Sequence, residues 1–145
     1  MQVTGKQFFK LLSKDSEFCA QLGRTMLAAS VIESELKLYL NSKSVDTSDR
    51  PLTFGQLIGL LKKHQLLVKM QPALETLKIQ RNYLAHNLHA LLTGMLEETL
   101  LPRENLIDLD VHTYRDRARE SEENLIGLAE IIARERKTIL KRVRK

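Results

Sequence analysis

The spacing of apolar side chains follows the period of an amphipathic helix along most of the chain. It predicts a short helix from Gly5 to Leu12 and a longer one from Asp15 or Ser16, as the cap, to about Asn41. The apolar stripe predicted for the longer helix is Leu22, Met26, Ala29, Leu36 and Leu40. Serine, aspartate and threonine are frequent in residues 41–51, which predicts a loop.

The same pattern predicts three more helices in the second half of the chain. Thr53 is placed to cap a helix from Phe54 to about His64, and Pro72 suits the first turn of a helix that runs to about Ala90. Residues 99–110 contain a proline and predict a connector, with an extended piece at 106–109, before Asp110 caps a long final helix. The apolar stripe predicted for this final helix is Tyr114, Ala118, Leu125, Leu128, Ile132, Ile139 and Val143.

No segment shows the alternation typical of a β-strand, and no internal repeat is visible. The pattern therefore predicts an all-α fold, an antiparallel bundle of four to five helices. A length of 145 residues suits a single domain over residues 1–145.

Two charged residues interrupt the apolar stripes. Glu33 falls between Ala29 and Leu36, and Arg81 falls in the predicted stripe of the Pro72 helix. A buried, unpaired charge costs several kcal/mol, on the order of the desolvation penalty of an ion. The pattern therefore predicts that each has a partner, and the two could pair with each other across the bundle. A structural ion pair and a functional site are both consistent with these two residues.

Composition narrows the class of protein. The sequence is 43% hydrophobic and 28% charged, which is typical of a globular chain, and no apolar run approaches the length of a membrane span. Cys19 is the only cysteine, which disfavours a cysteine-based zinc site, and residues 1–6 lack the apolar core of a signal peptide. These features predict a cytoplasmic protein with no membrane partner.

The positive charge is concentrated at one end of the sequence. Residues 134–145 contain seven basic residues and one acidic residue, whereas the rest of the chain contains 16 basic and 17 acidic residues. One interpretation is a nucleic-acid contact surface. The other is a solvated helix end, whose basic side chains complement the helix dipole.

The most specific motif is Arg-Asn-Tyr-Leu-Ala-His at residues 81–86. It resembles the Arg-Asn-x-x-Ala-His signature of the HEPN superfamily, the "higher eukaryotes and prokaryotes nucleotide-binding" domains. Residues 28–36 also resemble the earlier helix of that family, which often carries an acidic residue. The resemblance spans roughly residues 20–140, and its specific part is the six-residue motif.

This resemblance implies a metal-independent endoribonuclease of the toxin–antitoxin or phage-defence type, with RNA as substrate and no cofactor. Arg81 would hold the scissile phosphate, and His86 would act as general acid or base. Asn82 would orient His86 or the phosphate, and Glu33 would position Arg81. An antitoxin is then a possible partner. Some toxins of the family carry a tyrosine two residues after the histidine, where a partner modifies it, but this chain has Leu88 there.

The resemblance also implies a homodimer in which two motifs share one cleft. Helix geometry agrees, because residues five apart point about 140° away from each other. Either Arg81 wraps around its own helix, or Arg81 and His86 from two chains converge.

Two other functions remain open. One is a catalytically inactive HEPN-like protein that binds RNA or a nucleotide, and the other is a helical interaction subunit. Metal chemistry is disfavoured: His86 and His89 lack a third ligand, and Asp108, Asp110 and His112 are better explained by the cap and approach of the last helix.

Overall fold

A computed structural model of the chain describes residues 5–48, 50–93 and 111–143, and the side chains of residues 6–48, 50–82 and 111–142. These residues contain five α-helices and no strand. The helices are α1 (Gly5–Lys14), α2 (Ser16–Ser42), α3 (Phe54–Lys63), α4 (Gln71–Thr93) and α5 (Val111–Val143). The prediction of an all-α helical bundle is confirmed.

Two helix starts predicted from sequence are confirmed in atomic detail. Asp15 is the only residue between α1 and α2, and its carboxylate accepts a hydrogen bond of 2.7 Å from the amide of Phe18. The hydroxyl of Thr53 accepts from the amide of Gln56, while the Gln56 side chain accepts from the amide of Thr53. This reciprocal capping box satisfies two amides at the start of α3 that the helix itself leaves without acceptors.

The start of α4 departs slightly from the prediction. A short 3₁₀ turn, Val68–Met70, precedes it, and Leu67 enters this turn with a positive φ of 49°. The helix begins at Gln71, so Pro72 lies in its first turn as expected. The connector predicted at residues 99–110, its extended piece and the Asp110 cap lie outside the described residues.

The chain divides into two compact units, each built from two segments. The first unit comprises Met1–Thr25 and Ile79–Ser121, and the second comprises Met26–Lys78 and Glu122–Lys145. The boundary falls within α2, α4 and α5. The prediction of one domain over residues 1–145 stays a prediction.

The second unit has an aliphatic core. Parts of α2, α3, α4 and α5 bring together side chains that are almost completely buried, among them Ile32, Leu36, Leu57, Leu74 and Ile132. Burial of apolar surface on this scale is the main favourable contribution to folding. The stripe predicted for α5 is largely confirmed, since Tyr114, Ala118, Leu125 and Ile132 are fully buried and Leu128 and Ile139 are partly buried.

The first unit has a smaller described core that is rich in aromatic and polar groups. Phe8 and Phe18 meet the ring of Tyr114 edge to face, with centroids 5.3 and 6.1 Å away. The buried hydroxyl of Thr25 lies 2.7 Å from the carbonyl oxygen of Ala118, to which it donates, and 2.9 Å from that of Gln21.

The predicted stripe of α2 was wrong at Met26, whose side chain is 67% exposed. Gln21 and Thr25 are buried on α2 instead, and Ile32, which the prediction omitted, is fully buried. The physical reason is that a threonine with a hydrogen-bond acceptor can be buried at little cost, which a pattern based on apolarity does not show.

Candidate functional site

Arg81 and Asn82 lie side by side on α4, and both side chains are exposed. The prediction that Arg81 occupies a buried position in the apolar stripe is therefore wrong. Leu74 and Leu77 are the buried residues of α4 among the described side chains, and Arg81 follows Leu77 by four residues. An exposed guanidinium keeps much of its hydration, so the desolvation penalty of a fully buried charge does not apply to Arg81.

His86 lies on the same helix five residues after Arg81, and its side chain is outside the described set. An ideal helix places the two Cα atoms about 7.5 Å apart along the axis and about 140° apart around it. Asn82 and His86 are four residues apart in α4, about 6 Å along the axis. Of the predicted site residues, Arg81, Asn82 and His86 therefore lie within two turns of one helix, and the side chains of Arg81 and Asn82 are the ones the structure describes.

Glu33 lies on α2 in the second unit and is half-buried. Arg81 belongs to the first unit, and the predicted pairing of these two residues stays a prediction. One ion pair in this part of α2 is formed by Glu35. Glu35 accepts a hydrogen bond of 3.3 Å from Nε of Arg136 on α5, and each side chain is only 20% exposed.

A second charged cluster, which the sequence analysis missed, lies in the first unit. The guanidinium of Arg115 binds the carboxylate of Asp15 and also lies 3.0 Å from Glu17. The hydrogen bond from Arg115, followed by that from the amide of Phe18, lowers the pKa of Asp15 from its usual value. Asp15 and Arg115 are 100 residues apart in sequence, and no local pattern links them.

An open cavity of about 540 Å³ adjoins this cluster. Its lining includes Arg24, His112, Arg115 and Arg119, together with Glu17 and Asp116. Most of these charges are used within the protein: Arg115 binds two carboxylates, and Arg119 lies 3.0 Å from Asp116. Nδ1 of His112, weighed above as a metal ligand, lies 3.4 Å from Arg115. We interpret the cluster as a structural connection between the starts of α2 and α5.

The described side chains contain no group of three or more histidine, cysteine, aspartate or glutamate residues able to hold a metal ion. Across the same residues, each helix is too short or too polar to cross a bilayer. Comparison with protein-family models, with curated proteins and with solved structures finds no match to this chain.

Proposed function

We propose that the protein is a metal-independent endoribonuclease in which Arg81 and His86 carry out cleavage. The proposal rests on the Arg-Asn-x-x-Ala-His motif and on one structural observation, the exposure of Arg81 and Asn82 on α4. A side chain exposed on the surface of a helix can reach the phosphate of a large substrate such as RNA, which could not enter an enclosed pocket.

The chemistry needs only these groups and the RNA itself. The 2′-oxygen attacks the adjacent phosphorus and forms a new P–O bond, while the bond from phosphorus to the 5′-oxygen breaks. One proton leaves the 2′-hydroxyl, and one proton is delivered to the departing 5′-oxygen. The products are a 2′,3′-cyclic phosphate and a free 5′-hydroxyl, with no change in oxidation state.

Histidine suits the proton transfer because its ordinary pKa lies close to neutral. In the proposal, His86 takes the proton from the 2′-hydroxyl or gives one to the 5′-oxygen. Arg81 donates hydrogen bonds to the phosphate oxygens, where negative charge accumulates in the transition state. Asn82 orients His86 or the phosphate.

The test is cleavage of a fluorescent single-stranded RNA in the presence of EDTA. We expect His86→Ala and Arg81→Ala each to lower the rate by about a hundredfold or more. His64→Ala and Arg50→Ala are the matched controls, because both residues are exposed and lie outside the motif. The proposal would be overturned if EDTA abolished cleavage by the wild-type protein. It would also be overturned if the His86→Ala variant cleaved RNA at the wild-type rate. Growth arrest on expression, lost in the same variants, would support a toxin.

We further propose that the active protein is a homodimer whose cleft is shared by two copies of α4. Light scattering measures the oligomeric state. Mixing Arg81→Ala chains with His86→Ala chains tests the shared cleft. If Arg81 and His86 of one site come from different chains, a mixed dimer has one site with both mutations and one intact site. If they come from the same chain, each site of the mixed dimer has one mutation. Activity recovered on mixing supports residues converging from two chains. A monomer that cleaves at the full rate contradicts the shared cleft.

One observation favours a second candidate, an inactive member that binds RNA. The positive charge of the chain is concentrated in residues 134–145, and charge alone supports binding without chemistry. Salt-dependent RNA binding without cleavage, in a folded wild-type protein, would select this candidate. A protein that neither binds nor cleaves RNA would leave the helical interaction subunit.

A further inference from the structure

The end of α5 carries several basic residues, whose side chains differ in exposure. Arg134, Lys137, Lys141 and Arg142 are exposed. Arg136 lies between them in sequence, but it is partly buried against Glu35 and holds α5 to α2 within the second unit. We call the exposed four the basic face.

Helix geometry gathers three of the four into one strip. With 100° per residue, Arg134, Lys137 and Lys141 lie within about 60° of one another and span about 10.5 Å along the axis. Arg142 flanks the strip. Between residues 134 and 142 the sequence has one acid, Glu135, which lies about 100° around the helix from Arg134. The strip is thus a local concentration of positive charge in a chain that is otherwise close to neutral.

We propose that the basic face is a docking surface for the phosphate backbone of single-stranded RNA, separate from the residues that cut it. The choice of RNA rests on the function proposed above. Flexible lysine and arginine side chains at one-turn intervals can contact several phosphates of one strand, whose negative charges repeat along its length. Such contacts hold the substrate without reading its sequence.

A membrane surface fits the basic face less well. A helix that lies on a bilayer needs a broad exposed apolar side next to its basic side. On this part of α5, Ile132 is fully buried and Ile139 packs against the core of the second unit, so much of the apolar side is already used. Two large apolar side chains are left open on this part of α5, Ile131 at 39% and Leu140 at 40% exposed, and they lie about 180° apart around the helix, so they form no broad apolar side.

The experiment compares two triple variants of the full chain, both made with His86→Ala so that RNA stays intact. The face variant carries Arg134→Gln, Lys137→Gln and Lys141→Gln. The control variant carries Lys6→Gln, Lys10→Gln and Lys14→Gln, three exposed lysines that also lie along one side of a helix, α1. Both variants remove three positive charges, so a difference between them reports the position of the charge and not its amount.

The readout is fluorescence anisotropy of labelled single-stranded RNA over a series of salt concentrations. We expect the face variant to bind about tenfold more weakly or worse, and its log–log salt dependence to fall by about two, near 0.7 for each phosphate contact. The control variant should stay within about threefold of its parent. Equal losses in both variants would show a net-charge effect and overturn the proposal. So would tight binding to vesicles of anionic lipid without binding to RNA.

Circular dichroism establishes that each variant is folded, and Lys141→Gln alone provides a milder version if the triple variant is not. Cleavage by the face variant without His86→Ala separates the two proposals. Slower cleavage at low RNA concentration with an unchanged maximal rate supports docking. Unchanged cleavage and unchanged binding refute docking and leave the ribonuclease standing. Face-dependent binding by a wild-type chain that does not cleave refutes the ribonuclease alone.

Discussion

The two compact units bury different kinds of side chain. The core of the second unit is aliphatic, with one tyrosine and one phenylalanine among fifteen buried residues. The first unit, by contrast, contains every buried polar side chain among those described, namely Gln21, Thr25 and Ser121. It also carries Arg81, Asn82 and the Asp15–Arg115 cluster.

This difference separates two contributions to the fold, one from the burial of apolar area and one from polar contacts between particular partners. Apolar burial in the second unit is non-directional and depends mainly on area. The polar contacts of the first unit contribute less free energy each, but they require particular partners at particular distances. We therefore regard the second unit as the source of most of the stability and the first as the part that presents the candidate chemistry. Four predictions probe this comparison.

The largest effect should come from the aliphatic core. Leu36 is completely buried in the second unit, so Leu36→Ala removes apolar contacts and leaves a cavity. We expect the free energy of unfolding to fall by about 3 kcal/mol. Urea denaturation followed by circular dichroism measures it. A loss below about 1 kcal/mol would mean that this core is loosely packed and that the comparison is wrong.

A smaller effect should come from the buried hydroxyl of the first unit. Thr25→Val keeps the shape of the side chain but removes the hydrogen bond to the carbonyl of Ala118, and we expect a loss of about 1 kcal/mol. Thr76→Val is the matched control, because Thr76 is exposed and donates to its own helix at Pro72. Its effect should stay within about 0.5 kcal/mol. Equal effects would show that burial of Thr25 contributes nothing.

The third prediction concerns how the stability depends on pH, and it compares one carboxylate from each unit. The pKa of Asp15 is lowered in the folded protein, chiefly by Arg115, so its contribution is present above the ordinary value of 3.8 and is lost as pH falls through the lowered pKa. Asp15→Asn should therefore lower the urea midpoint at neutral pH, and the difference from wild type should shrink in acid.

Glu75 in the second unit provides the comparison for Asp15. Lys62, and then Lys78, lower its pKa in the same direction, but Glu75 caps no helix. We expect Glu75→Gln to change the midpoint less than Asp15→Asn does, with the same sign of pH dependence. A larger effect at Glu75 would contradict the assignment of directional contacts to the first unit.

The smallest effect on stability should come from the candidate site itself. Arg81 is exposed, and exposed ionic contacts contribute little. We expect Arg81→Ala to change the free energy of unfolding by less than about 0.5 kcal/mol, while RNA cleavage is lost. A loss of 3 kcal/mol or more would restore the alternative in which Arg81 forms a structural buried pair.

The sequence predicted the local features of the fold well and the distant contacts poorly. Asp15 and Thr53 were recognised as caps because capping depends on residues within three positions of each other. The burial of Thr25 was missed because its acceptor, Ala118, is 93 residues away. The burial of Arg81 was predicted wrongly for the same kind of reason. The helical period gives the direction of a side chain, but it does not show where along the helix the packing against a core ends.

Only the part of the candidate site that lies on a single helix could be predicted from the sequence. The spacing of Arg81, Asn82 and His86 follows from the sequence, whereas the predicted pairing with Glu33 is a question of tertiary contact, which a local pattern does not address. The ion pair between Asp15 and Arg115 illustrates the same limit, since it joins two helices that are distant in the chain.

The single-residue junction at Asp15 has a consequence for how the chain can change in length. Its amide bonds to Leu12 at the end of α1, its carboxylate caps α2, and the same carboxylate binds Arg115. One inserted residue would rotate α1 by about 100° relative to α2 and carry Phe8 away from Tyr114. The connection between α2 and α3 comprises the eleven residues 43–53 and can absorb an insertion at its exposed positions. Insertions and deletions in evolved variants should therefore accumulate between α2 and α3 and be absent between α1 and α2.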